Sequence, residues 1–264
     1  TALLERGEGA AFRLNTFEFA GMLGILGGVS VVGLLPEAWN WNRSFLVVCS
    51  PQLVILALLP VFWRRFSTRD APARPEARGP VGGEDGATWP PIVTGMFVVG
   101  TIIAFAWASV SQFLMPLRGT REFGLDRAGN SWMLATPQVV DLVVLLPVGY
   151  LADRLGRRAV LGVVCLALGA GTFFVGVGPF PLFVLGSALF GLGLAGWMLP
   201  VGVLREHTPL HALGRRTGLY RVGVDAWIFL GPLVSGLLGE VGAGYFVGLI
   251  GVVTLVAGAR LLWR

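Results

Sequence analysis

Hydrophobic and polar positions along this chain of 264 residues are arranged in long blocks. Runs of about 20 apolar residues alternate with short polar segments, and an α-helix needs a run of that length to cross a bilayer. Reading the gaps between charges predicts eight spans. They are Thr16–Leu35, Ser44–Trp63, Pro90–Pro116, Ser131–Ala152, two helices within Ala159–Leu204, Thr217–Gly239 and Gly242–Ala259. The 46 residues from Ala159 to Leu204 carry no charge and are too long for one crossing, so the GVGPFP segment at Gly176–Pro181 divides them. Between the second and third spans lies Arg64–Trp89, rich in Pro, Gly, Arg and Glu, with the composition of a flexible linker. Such long runs exclude the short alternating strands of a membrane barrel. The fold class predicted is therefore all-α, a polytopic bundle of membrane helices.

Composition agrees and removes whole classes of function. Hydrophobic residues make up 55% of the chain and charged ones 13%, against roughly 25% charged in soluble domains. A water-soluble enzyme is excluded. The 39 glycines suit helices that pack closely in lipid through small residues. All 20 basic residues are arginine. A single patch of them would suggest nucleic acid, but they are divided by sidedness. With an even number of spans both chain ends share a side, and 15 arginines fall there against four on the other, Arg43, Arg118, Arg121 and Arg127. Cytoplasmic loops retain positive charge, so both ends are expected in the cytoplasm of a multi-pass cell-membrane protein, with no nucleic-acid partner. Cys49 and Cys165 lie inside apolar runs and read as free buried thiols.

A repeat is visible at long range. Gly28–Glu37 reads GVSVVGLLPE and Gly231–Glu240 reads GPLVSGLLGE, agreeing at six of ten places 203 residues apart. Each copy closes a helix, and the spans involved are the first and the seventh. Six-helix units repeated in one orientation are a plan of secondary transporters. Eight helices make one and a third such units, so four further helices are expected before Thr1, twelve in all. Residues 1–63 are then the last two helices of an N-terminal half, 64–89 a cytoplasmic linker and 90–264 the C-terminal half.

After the fourth span comes GYLADRLGRR, Gly149 to Arg158. Gly149 allows close helix approach, Asp153 can receive the positive end of a neighbouring helix, and Gly156 supplies a tight turn. Arg154, Arg157 and Arg158 hold the loop in the cytoplasm. Sidedness alone accounts for the charges but not for the spacing of glycine, aspartate and glycine. This segment resembles the signature loop of the major facilitator superfamily, G-x-L-a-D-r-x-G-r-r/k, nearly position for position. The resemblance extends along the chain. TPLHALGRRTGLYR with GPLVSG is similar to the passage from helix ten into helix eleven, Arg64–Trp89 to the linker between halves, and NWNRSFLVV to the entry of helix six. One departure is that the Gly-Pro pair found in the fifth helix of many exporters is Gly27-Gly28-Val29 here, and Gly-Pro occurs only at Gly231-Pro232.

Ionisable groups inside hydrocarbon cost about 2.5–3.5 kcal/mol each on insertion scales, which makes each a functional candidate. Asp141 is near the middle of span four without a local partner, and reads either as a proton or cation site or as a helix-packing contact. Arg221 and Asp225 stand one turn apart on span seven, either as a self-neutralised pair or as part of a coupling site. Glu18 is expected to cap the start of span one. The resemblance implies that family helices seven and ten line a central cavity. Span three then supplies Trp107, Ser109, Ser111 and Gln112, and span six supplies Trp197 and Met198, a polar and aromatic mix suited to a substrate pocket. An integral-membrane enzyme would need clustered His, Asp or Ser at one depth, but His207 and His211 share one loop around Pro209, so no metal or other cofactor is expected. The expectation is a monomeric transporter that moves a small molecule by alternating access. The resemblance implies proton coupling as the commonest energy source and the signature loop as the latch. A cavity with few charges favours export over uptake while the direction stays open, and the alternative is a truncated or non-transporting relative.

Overall fold

The computed structural model describes residues 10–36, 39–67 and 89–263. The described residues are mostly helical, with α1 Ala10–Leu34, α2 Trp41–Ser67, α3 Pro91–Ser109, α4 Met115–Arg121, α5 Arg127–Leu155, α6 Arg157–Val177, α7 Phe180–Leu194, α8 Leu199–Glu206 and α9 Leu210–Trp263. Seven stretches among them are long and apolar enough to cross a membrane: Asn42–Val61, Pro91–Arg121, Arg127–Leu155, Arg157–Val177, Phe180–Glu206, Ala212–Gly239 and Gly242–Trp263. In α1 the apolar part is the shorter Gly21–Leu34. Residues 68–88, most of the expected linker, lie outside the described residues, as does Glu37 of the repeat.

Breaks between spans come where glycine and proline stand. α6 and α7 are separated at Gly178-Pro179, within the expected GVGPFP segment. The two spans within α9 meet at Gly239, whose φ of 70° is a left-handed conformation that residues with a Cβ rarely adopt. The repeat has the same feature in both copies, since α1 ends at Leu34, just before the Leu35-Pro36 pair that aligns with Leu238-Gly239.

Glu18 is not a helix cap. The helix begins at Ala10, eight residues earlier, because the backbone ladder continues through Arg13 and Glu18 past the apolar run that marked the expected start. The same offset moves the start of α5 from Ser131 to Arg127, where Asp126 caps the helix by accepting a hydrogen bond from the Gly129 amide at 2.7 Å.

The chain divides into two compact units, residues Leu34–Trp89 and the remainder. In the smaller unit the described part of α2 carries exposed apolar side chains, Phe45, Leu46, Leu53 and Leu56 among them. The larger unit has a core of Ile103, Leu114, Leu145, Leu161, Leu168, Phe183 and Phe190, each 1% exposed or less. Its outer face displays Val143, Val163, Val222, Phe229 and Leu237, an apolar surface suited to lipid. Glycine sets the closest approach. Gly162, Gly169 and Gly176 recur every seventh residue on α6 and meet Gly258, Gly251 and Gly244, equally spaced on the antiparallel end of α9. A Cβ on Gly169 would stand 2.7 Å from the Gly251 carbonyl, and one on Gly176 would stand 2.8 Å from that of Gly244.

Arg118, expected only as an outer-side charge, is a buried tie between helices. Its guanidinium donates to the carbonyls of Val175 (2.5 Å) and Gly178 (2.8 Å) at the end of α6, and to both oxygens of Glu122 (2.5 and 2.6 Å). It also lies against the rings of Phe123 and Phe183, 5.1 and 5.5 Å from their centroids. Hydrogen bonds from Arg118 hold the Glu122 carboxyl below its usual range. That contribution is present at neutral pH and fades on acidification through the depressed value. Arg118→Met leaves both carbonyls without their donor, and a loss of about 2–3 kcal/mol is expected, mostly from them because Glu122 is half exposed. Thermal unfolding in detergent checks this, and an unshifted midpoint would contradict it.

Candidate functional site

Two irregular stretches of backbone position the expected cavity residues. Between α3 and α4 the chain makes a π-turn over Val110–Leu114. The cause is Pro116, which has no N–H for the helical ladder and whose ring would strike the carbonyl four residues back, at Gln112. Likewise α7 gives way to a tight stretch at Ala195–Met198 ahead of Pro200, with short-range bonds from the Trp197 amide to Leu194 (2.8 Å) and from the Leu199 amide to Gly196 (3.0 Å). Trp107 and Trp197 meet beside these irregularities, their ring centroids 6.0 Å apart at an interplanar angle of 63°. Ser109 is buried and Ser111 half-buried, and neither hydroxyl has a hydrogen-bond partner. Gln112 is exposed on the π-turn and Met198 is half-buried. Bilayer-depth backbone departs from the α-helix where it faces protein or a water-filled cavity. The prolines were the sequence signal for both places.

Three helices bring ionisable side chains near one another. Asp141 is the midpoint of α5, fully buried, and neither carboxylate oxygen has a hydrogen-bond partner. Glu18 on α1 lies close enough to interact electrostatically with both Asp141 and Arg221. Arg221 in turn donates from Nε to Asp225 Oδ2 at 3.0 Å, the expected one-turn pair, with both side chains more than half exposed. Glu18 and Asp225 thus share one guanidinium, and Asp141 neighbours it only through Glu18. Gln138, one turn before Asp141, is buried with its carbonyl oxygen unpartnered.

At the loop, one residue joins two helices. Gly156 connects α5 to α6 with φ of 93°, which explains the second signature glycine. Asp153 stands in the last turn of α5, 3.7 Å from the guanidinium of Arg157, the first residue of α6. Arg157 is 9% exposed and reaches Glu206 at the end of α8, 3.0 Å away. It lies against Gly202, where a Cβ would come within 2.9 Å of its Nη1. Arg154 places its guanidinium over the Tyr150 ring at 4.4 Å, while Gly149 is buried and Arg158 is half-buried. A helix N-terminus disfavours basic residues, and the acids Asp153 and Glu206 offset that for Arg157. Through Arg157 the loop therefore couples α5, α6 and α8. His207 places Nδ1 3.0 Å from the Val203 carbonyl, and the side chain of His211 lies outside the described residues.

Residues 92–264 match the Major Facilitator Superfamily. Among curated proteins the chain is similar to the probable nitrate transporter NarT of Staphylococcus aureus strain MRSA252, 28% identical over 139 residues, which are 51% of this chain and 35% of that protein. The corresponding proteins of strains JH9 and Newman are 27% identical over the same shares. The chain thus spans about a third of the length of the curated relatives it matches. No solved structure matches it.

Proposed function

Because the chain belongs to the major facilitator superfamily, we propose that it is part of a proton-coupled secondary transporter, acting by alternating access in the cell membrane with both chain ends cytoplasmic. The observation that carries this reading is the run of neighbouring charges Asp141, Glu18, Arg221 and Asp225 from three separate helices. Three acids and one base in this run of neighbours carry a surplus of negative charge, and at the buried Asp141 a proton neutralises it. Asp141, buried and without a hydrogen-bond partner, is the group whose protonation state matters most. The alternative reading of Arg221 and Asp225 as a neutral structural pair applies to those two alone, because Glu18 interacts with Arg221 as well.

The substrate site is assigned to the wall that carries Trp107, Ser111, Gln112 and Trp197, with the π-turn and the break before α8 as the places where the helices bend. Its aromatic character suits a lipophilic compound that stacks on the tryptophans, and an exchange of that compound for protons makes the protein an exporter. Nitrate, named for the relatives, is the second reading. An anion at this depth requires a cation, and Arg221 is already engaged by Asp225. Gly149, Asp153, Arg154, Gly156, Arg157 and Arg158 act as the cytoplasmic latch, fastening α5 to α6 and α8 in one state and releasing them in the other.

Reconstitution of the intact natural protein in vesicles tests the reading. Flux of a lipophilic dye is expected to follow an imposed pH gradient and to stop with a protonophore. Nitrate flux that ignores the gradient would replace this proposal with the relatives' chemistry. For the latch, Asp153→Asn is expected to lower flux about tenfold while membrane insertion stays normal, and undiminished flux would remove the loop's assigned role.

A further inference from the structure

The groove between the start of α3 and the end of α9 is the strongest feature that transport leaves unused. Its volume is about 750 Å³. Along its length it is lined by Val98, Ile102, Val253 and Val256, and at one end by Arg158, Arg260 and Trp263. α3 lines it from Thr94 to Ile102 and the last part of α9 from Val253 to Trp263. Among the described residues, neither Arg158 nor Arg260 has an acidic partner or a hydrogen bond. Two guanidiniums at one mouth repel each other unless an anion stands between them.

We propose that this groove binds an anionic phospholipid, with the phosphate headgroup between Arg158 and Arg260 and one acyl chain along the apolar wall. Guanidinium suits this headgroup, because its planar fork matches phosphate oxygens in a two-bond arrangement. Trp263 is 92% exposed at the rim, where an indole lies at headgroup level. The amino end of α3 adds its positive dipole end at the same mouth. From Thr94 to Ile102 the helix rises roughly 12 Å, enough to cover half an acyl chain. Arginine asymmetry assigns this end to the cytoplasmic leaflet, which carries the anionic lipids. Phosphate bound alone leaves the apolar wall uncovered, and a zwitterionic lipid leaves the pair of charges uncompensated.

Native mass spectrometry of the intact natural protein, titrated with phosphatidylglycerol and phosphatidylcholine of equal chain length, tests the site without reference to transport. Phosphatidylglycerol is expected to be retained at least fivefold more tightly. Arg260→Gln, outside the signature loop, is expected to lower that affinity at least threefold and Arg158→Gln/Arg260→Gln at least tenfold, with phosphatidylcholine unaffected. Arg205→Gln, also exposed at the end of α8, serves as the control and should change neither. Val256→Trp fills the groove and should weaken both lipids, with the unfolding temperature reporting that each variant is folded. Equal retention of the two lipids, a preference that survives the double substitution, or displacement of phosphatidylglycerol by millimolar inorganic phosphate regardless of chain length would each overturn the assignment.

Discussion

Asparagine in place of Asp141 is expected to leave the protein folded while proton-driven flux falls at least 100-fold. The substitution keeps the shape of the side chain and removes its capacity to ionise. Neither carboxylate oxygen of Asp141 accepts a hydrogen bond, so no packing contact is broken by the exchange. An ionised acid at this depth costs about 2.5–3.5 kcal/mol on insertion scales, so the amide variant should unfold at the same temperature or higher. A helix-packing role predicts the opposite pattern, a lower unfolding temperature with flux reduced only in proportion to the protein lost. Counterflow adds a second discrimination. If Asp141 couples the proton, exchange of substrate without a gradient persists in Asp141→Asn and uphill movement does not. Full gradient-driven flux in that variant would remove Asp141 from the coupling site.

The largest loss of stability is expected at Gly169→Leu. A Cβ there meets the Gly251 carbonyl oxygen and the Leu255 amide nitrogen, both at 2.7 Å and both backbone, so no rotamer change relieves the clash. The helices must separate along their length. This places the cost at the upper end of overpacking, about 3 kcal/mol or more, and the variant should aggregate in size-exclusion chromatography. Gly218→Ala is the comparison, since an added Cβ there has nothing within 4 Å, and it should be neutral or slightly stabilising. A monodisperse Gly169→Leu protein with a normal unfolding temperature would refute the close packing.

The spans and the punctuation between them were legible in the sequence because the hydrophobic requirement of a bilayer is set by length alone. Gly178-Pro179 and Gly239 interrupt the chain where composition placed the boundaries. Helix ends were not legible from charge. A charged residue marks the water boundary, whereas the hydrogen-bond ladder continues until a cap or breaker stops it, which is why Arg13 and Arg127 lie within helices. Of the candidate site, Asp141 and the pair Arg221–Asp225 were found from their isolation in apolar runs. Their approach to Glu18 was hidden, because it joins residues more than 120 positions apart. Family resemblance points to Trp107 and Trp197, and Pro116 and Pro200 mark the places where the backbone beside them leaves the α-helix. Arg118 escaped entirely, since its position next to a polar loop concealed a guanidinium buried against α6. The glycine pairs of α6 and α9 were legible only as an excess of glycine, because a seven-residue spacing on one helix acquires meaning once its partner is known.

That seam has a mechanical consequence. Three glycine pairs bring the two backbones into direct contact, so little at the crossing can re-pack by changing rotamer, and α6 with the end of α9 forms a stiff post. Bending is easier in α3–α4 and α7–α8, where a proline has already broken the regular helix. The protein therefore divides its labour by residue type, with glycine building the frame and proline building the joints.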